Sequence, residues 1–156
     1  MLKYLLVFLI SMVPLIELRG AVPIALGMDI HYFPALVICI IGNMLPVPFI
    51  YFLARKVLTW GADKKYIGKF FRFCLDKGEK GGQKLVKAAG RGGLFVALLL
   101  FVGIPLPGTG AWTGALGASF LNMGFKSTVA AVSLGVVLAG GIMALISSVG
   151  LHIFGL

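Results

Sequence analysis

Pro14-Leu15-Ile16-Glu17-Leu18-Arg19-Gly20-Ala21-Val22-Pro23 and Ile104-Pro105-Leu106-Pro107-Gly108-Thr109-Gly110-Ala111-Trp112 decide how this chain is read. Each follows an apolar run too short to cross a bilayer, and each leads into a longer one. Residues 2–13 make a helix of about 18 Å at 1.5 Å rise per residue, against a hydrocarbon core of about 30 Å. Gly20-Ala21 followed by Ala25-Leu26-Gly27 recurs as Gly110-Ala111 followed by Ala115-Leu116-Gly117 at the same internal spacing. Interrupted hydrophobic segments at corresponding places in two halves point to a binding site at the interruptions.

Composition sets the medium. Of 156 residues, 60% are hydrophobic and 12% charged, too little polar surface for a soluble domain of this size. The apolar runs are continuous rather than alternating, which excludes a membrane β-barrel and leaves helices. The net charge of +9 is concentrated: of the 14 Lys and Arg residues, all but Lys3, Arg19 and Lys126 lie between Arg55 and Arg91. That is a cytoplasmic membrane-surface segment under the positive-inside rule. No aromatic-basic platform or zinc spacing suggests nucleic acid. Cys39 and Cys74 are isolated, with neither a disulfide framework nor metal spacing. Lys3 followed by Leu5 to Val13 resembles the start of a signal peptide, but Glu17-Leu18-Arg19 stands where a small-residue cleavage site would be, so the helix is read as retained.

The expected fold is an all-α integral membrane protein, one membrane domain built of two inverted repeats. Each repeat is a re-entrant helical hairpin plus a transmembrane helix, with an amphipathic interfacial helix between them. Repeat 1 (1–58) has its hairpin at 2–28, with the return arm starting near Ala21, and its span at 33–58, kinked around Gly42, Asn43, Pro46 and Pro48. In the basic connector (61–93), Tyr66, Ile67, Phe70, Phe71, Phe73 and Cys74 share one face and Lys65, Lys69 and Arg72 the other, so a helix lies in the interface plane. Gly78, Gly81 and Gly82 are expected to end it, with a second short helix around Gln83 to Ala89. Repeat 2 (94–156) has its hairpin at 94–121 and its span at 127–154, where Gly135, Gly140 and Gly141 allow close helix approach. Gly27 to Gly42 is three residues shorter than Gly117 to Gly135, so the repeat is imperfect there. Counting crossings of the cell membrane puts residues 55–91 in the cytoplasm and both termini outside. Lys126 agrees with this orientation and Lys3 does not. A conventional four- or five-span chain is the alternative.

Glu17 and Arg19 are charges near the bilayer midplane, where each costs about 2.5–3.5 kcal/mol on insertion scales. They either pair to hold the hairpin, or serve function: Arg19 for an anionic or polar ligand group, and Glu17 as a proton acceptor. Gly20 and Pro23 complete that tip. In the second tip, Gly108 and Gly110 let backbone amides turn toward a ligand, Thr109 and Trp112 line it, and the helix N-termini near Ala21 and Ala111 favour anions. Asn43 either bonds carbonyls freed by the prolines or faces the cavity. Asp29 and His31 belong near the outer surface, His31 as a loop histidine. There is no triad, metal cluster, phosphate-cradling loop or paired carboxylate, so neither an enzyme nor a cofactor is expected.

Leu15-Ile16-Glu17-Leu18-Arg19-Gly20-Ala21-Val22-Pro23, Gly42-Asn43-Met44-Leu45-Pro46-Val47-Pro48 and Gly103-Ile104-Pro105-Leu106-Pro107-Gly108-Thr109-Gly110-Ala111-Trp112-Thr113-Gly114 resemble the small multidrug export protein family over nearly the whole chain. The family is distantly similar to the DedA superfamily of re-entrant-hairpin membrane proteins. The resemblance implies drug export by the family name. By the DedA likeness it implies recycling of polyprenyl-phosphate carrier lipids or lipid scrambling. DedA-like proteins carry an acidic residue and arginines in or near their hairpins; Glu17 and Arg19 match that pattern. The second tip has no charge, and Arg55 or Arg91 is the candidate for a second arginine.

The expected function is alternating access around the two tips, coupled to protons at Glu17, moving an amphiphile with a polar or anionic head such as a polyprenyl phosphate. Export of lipophilic cationic drugs and a non-transporting membrane scaffold are the alternatives. Expected partners are membrane lipids, that substrate, protons and a second copy of the chain docked through the Gly-rich second span, but no nucleic acid. Single cysteines at Lys80 and His31, in a background without Cys39 and Cys74, test the topology. They are expected to label from opposite sides of the membrane; labelling from one side sinks the inverted count.

Overall fold

The computed structural model describes residues 2–14, 16–106 and 109–154. They form seven helices: α1 (Leu2–Met12), α2 (Glu17–Gly27), α3 (Tyr32–Met44), α4 (Val47–Ala62), α5 (Gly68–Gly103), α6 (Ala111–Phe120) and α7 (Phe125–Phe154). Two stretches are long and apolar enough to cross a membrane, Tyr32–Ala62 and Phe125–Gly150, while Leu2–Met12 and Gly90–Gly103 are shorter apolar helices. Large side chains point outward along these stretches, among them Phe33 at 73% exposure, Phe49 at 71% and Leu145 at 66%. Apolar surface of that extent suits lipid rather than water.

Prolines and glycines set the boundaries. Pro46 and Pro48 carry no N–H, so the carbonyls of Gly42 and Met44 lose their helical donors and the chain turns between α3 and α4. The kink expected near the middle of the first span is there, but the span reaches Ala62 rather than ending at 58. Gly78, Gly81 and Gly82 do not interrupt α5: the backbone stays helical through them, and the break falls at Gly90, with φ 72° and ψ 177°. An interior glycine costs only about 1 kcal/mol relative to alanine, whereas a positive φ is a conformation that glycine adopts and L-residues avoid.

At the start of α5, Phe70 and Phe73 are exposed while the Phe71 ring packs under Gly61. Arg72 donates through Nε to the Ala62 carbonyl at 2.9 Å. A residue read from the sequence as part of a basic face thus also caps the carbonyl end of α4.

α2 and α6 end in the same way. Asp29 and Asn122 take φ of 58° and 56°. Asp29 N–H donates to Leu26 O and Ile30 N–H to Ala25 O, both at 3.1 Å; Asn122 N–H donates to Ser119 O at 3.3 Å and Met123 N–H to Ala118 O at 3.0 Å. These are two Schellman caps, each followed by a buried apolar residue, Ile30 or Met123. The offset between the two caps equals that between Gly42 and Gly135, and is three residues longer than that between Gly20 and Gly110. The length difference seen in the sequence is therefore taken up inside α6, between Gly117 and the cap. Gly110-Ala111 opens α6, whereas Gly20-Ala21 lies one turn inside α2, which starts at Glu17 and not near Ala21.

α2 packs against α1, α3 and α7, and α6 against α4, α5 and α7. Gly42 on α3 meets α1: a methyl group there would overlap Ser11 Oγ and come within 2.7 Å of the Phe8 carbonyl. Gly135 on α7 meets α5: a methyl there would lie 2.8 Å from both the Leu99 carbonyl and Val102 Cβ. Gly140 is filled by Leu36, while Gly141 faces open space. Two of the three glycines expected to allow helix approach are thus used within the chain, and only Gly141 is left for contact with another.

At one end of the bundle Tyr51 donates to Met123 O at 2.5 Å, Ser119 donates to Tyr51 O at 3.2 Å, and Arg55 donates to Asn122 Oδ1. Arg55 is tied to the carboxyl end of α6, and the exposed Arg91 begins the apolar part of α5 that ends at Gly103. Neither supplies the second tip with an arginine. Lys3, which does not fit the predicted orientation, donates to Met28 O at 2.8 Å and so serves the carboxyl end of α2.

Gly42→Val and Gly135→Val are expected to destabilise the purified protein by about 1–3 kcal/mol or more through overpacking against backbone. Gly141→Ala is expected to be neutral. Thermal unfolding in detergent measures all three.

Candidate functional site

Glu17 is the first residue of α2 and only 6% exposed. Its φ of 48° is left-handed, where a side chain other than glycine is strained. That backbone aims the carboxylate away from its own helix at the start of α6. The Trp112 N–H, in the first turn of α6, donates to Glu17 Oε1 at 3.1 Å. The N-cap of α6 is Gly110, which has no side chain to offer. Helix starts leave amides unbonded, and an acidic oxygen at that place is a preferred cap. Here it comes from another helix. Gly110 is what lets it approach: a methyl group there would overlap Glu17 Oε2.

Arg19, half-buried two residues further along α2, reaches the other side of the same tip. Its Nη2 donates to Thr109 Oγ1 at 2.6 Å. The Thr109 hydroxyl lies 2.9 Å from the Ile104 carbonyl and 3.0 Å from that of Leu106, so it folds the second tip upon itself. Trp112 completes the lacing, its indole N–H donating to the Met12 carbonyl at 3.2 Å. Glu17 and Arg19 do not form an ion pair with each other. Among the described residues the ion pair formed is Lys80–Asp76. Of the two readings open for these charges, pairing within one tip gives way to two bonds between tips.

Behind these contacts lies a cavity of about 10 Å³, lined by Glu17, Arg19, Asn43, Gly110, Val102 and Val136 among others. It is room for roughly one water molecule. Asn43 is 2% exposed, and its Oδ1 has no hydrogen-bond partner. It faces the cavity, the second of the two roles open to it from the sequence. A larger apolar cavity of about 230 Å³ lies between the end of α5 and α6, walled by Leu94, Leu98, Phe101, Gly114, Gly117 and Met123.

Of the residues singled out in the sequence, Glu17, Arg19, Asn43, Thr109, Gly110 and Trp112 converge. Pro23 does not: it is exposed inside α2, six residues or about 9 Å along the axis from Glu17. Gly20 is half-buried one turn inside α2, where a methyl would meet Ile16. Gly108 lies outside the described residues. The amides at the start of α6 are not all free for a substrate, because Glu17 already holds that of Trp112. Sequence reading missed this cap. The available signal was Gly110-Ala111-Trp112, a helix start with no capping side chain. The walls Val102 and Val136 carried no signal. Among the described residues no three His, Cys, Asp or Glu side chains come together as a metal site.

A family model described as "Putative small multi-drug export protein" matches residues 17–142. The match begins at Glu17 and takes in both tips. The chain belongs to this DedA-like family, a transporter class rather than one of catalytic enzymes. Comparison with curated proteins and with solved structures finds no match.

Glu17→Gln keeps an oxygen for the Trp112 amide and is expected to fold with a melting temperature close to that of the unmodified protein. Glu17→Ala leaves that amide unbonded and is expected to lose about 1–3 kcal/mol. Thermal unfolding in detergent distinguishes them, and equal losses would show that the cap does not stabilise α6.

Proposed function

We propose that the protein is a proton-coupled membrane transporter of an amphiphile whose head group is polar or anionic, such as a polyprenyl phosphate. The observation that carries the proposal is the meeting of a buried carboxylate and a half-buried guanidinium with the two interruptions of the apolar sequence. Ionisable groups within membrane segments are costly and mark substrate or ion pathways.

The architecture proposed with it is two inverted repeats. α1 and Gly90–Gly103 are the outgoing arms, about 16 and 21 Å long at 1.5 Å per residue. Both are shorter than the hydrocarbon core of about 30 Å. α2 and α6 return, and α3–α4 and α7 cross. Matching caps at Asp29 and Asn122 and matching close approaches at Gly42 and Gly135 support the repeat. The basic residues between Arg55 and Arg91 support a cytoplasmic connector, and with it a reading in which both termini are outside.

Within this frame Arg19 is the group for the head. A guanidinium has five N–H donors in a planar fork suited to phosphate, and only the contact from Nη2 to Thr109 is taken within the protein. Thr109 places it. Glu17 is the proton carrier, since its carboxylate already bridges the two moving parts. The apolar cavity between α5 and α6 suits the hydrocarbon part of the substrate. Alternating access follows if the two tips part, and the bonds holding them closed are those of Glu17 and Arg19.

Equilibrium binding of a polyprenyl phosphate and of a lipophilic cation to purified protein tests this reading. Phosphate binding is expected to weaken at least tenfold in Arg19→Ala, as for loss of a charged hydrogen bond of about 1.5–3 kcal/mol. Cation binding lost in Glu17→Gln would instead assign export of lipophilic cations. Binding of neither ligand to folded protein would favour a scaffold.

A further inference from the structure

We propose that Asn43 accepts a hydrogen bond from Glu17 when Glu17 carries a proton, so that Glu17, Asn43 and the first turn of α6 form one two-state proton site. The inference rests on the reading of Glu17 as the proton-coupling residue and names the partner that reading lacks.

Asn43 stands in the last turn of α3, just before the proline break. It is almost wholly buried, and its Oδ1 has no donor. A buried polar atom without a partner is uncommon in folded proteins and calls for an explanation. The cavity that Asn43 lines is the one Glu17 lines, and it has room for no more than about one water molecule. A metal cation does not suit the place, because the cationic Arg19 lines the same cavity and one oxygen of Glu17 already accepts from the Trp112 N–H. An anion does not suit it either, because the Glu17 carboxylate is already there. A hydrogen on Glu17 supplies the missing donor without adding a heavy atom.

The exchange balances. A hydronium ion gives its proton to one oxygen of Glu17 and leaves as water. The new O–H donates to Asn43 Oδ1, while the other oxygen keeps the Trp112 N–H. The buried Asn43 oxygen then has its donor. In the charged state Asn43 Oδ1 is left over, but the bond to Trp112 is charge-assisted and about twice as strong as a neutral one. Proton arrival therefore moves Glu17 from holding the start of α6 toward holding α3. It also removes the negative charge nearest Arg19, which leaves that guanidinium to an anionic head group.

The surroundings add few competing charges. Arg19 is the ionisable neighbour of Glu17 in the cavity. α5 contributes Val102, α7 contributes Val136 and Ala139, and α6 with its cap contributes Gly110 and Ala111. On α3 the thiol of Cys39 lies one turn from Asn43 and does not line the cavity. On α1 Lys3 is engaged at the opposite end of α2.

Infrared difference spectra between acid and alkaline pH, taken on the full protein in lipid bilayers, test the site. A protonated carboxyl band is expected, absent in Glu17→Gln and shifted to higher frequency in Asn43→Leu, where its O–H has lost the acceptor. In protein labelled with carbon-13 at the asparagine side-chain carbonyl, the Asn43 band is expected to move to lower frequency at acid pH, and not in Glu17→Gln. Asn122→Asp removes the only other asparagine. The labelled band decides the matter even if Asn43→Leu does not fold. A Glu17 band that ignores Asn43→Leu, together with a labelled amide that ignores pH, would overturn the role of Asn43 and leave the proton reading of Glu17 standing. Absence of any Glu17 band at acid pH would overturn both.

Discussion

The bond from the Trp112 amide to the Glu17 carboxylate is the constraint on which the centre of this molecule depends. It joins the first turn of α6 to the first residue of α2, two helices that lie far apart in sequence. Three otherwise costly features are explained by it. Glu17 tolerates a left-handed backbone because that conformation turns its side chain across the tip. Gly110 has no side chain because a methyl there would take the place of a carboxylate oxygen. α6 starts without a cap of its own because one arrives from α2. Arg19 and Thr109 make the second tie, and Trp112 a third through its indole. The two interruptions of the apolar sequence are thus a single polar cluster.

Around that cluster, glycine does the work that larger side chains do elsewhere. Gly42 and Gly135 bring α3 and α7 close to α1 and α5, with a backbone carbonyl oxygen among the nearest neighbours at each. Among helices surrounded by lipid, hydrophobic exclusion adds little to helix association, and close van der Waals approach must supply it. Hydrogen bonds from Tyr51, Ser119 and Arg55 hold the carboxyl end of α6, and Lys3 bonds that of α2. Helices α2 and α6 are therefore each held by polar contacts at both their starts and their ends.

Much of this was legible in residue order. The apolar runs, their lengths, the basic stretch between Arg55 and Arg91 and the proline kink after Asn43 are local properties, written in hydropathy and in the missing N–H of proline. Glu17 and Arg19 stood out because charge is expensive in hydrocarbon. Other features were misread for physical reasons. Gly78, Gly81 and Gly82 look like breaks but stay helical, since a single interior glycine costs little and within α5 the positive φ falls at Gly90. The repeat of Gly20-Ala21 in Gly110-Ala111 is not a match of helix starts, since α2 begins at Glu17; the ends that match are the caps at Asp29 and Asn122.

By itself, the sequence determined that the chain is helical, that it belongs in a membrane, and that its rare charges matter, because these follow from composition and from spacing along one strand of backbone. Tertiary structure alone decided what those charges touch. Two residues that look like a natural ion pair, Glu17 and Arg19, reach instead for an amide and a hydroxyl some 90 positions away in the chain. Asn43 is left with a bare oxygen beside them. Such partners depend on where helices cross, and helix crossings are fixed by packing between distant residues, which no local pattern records.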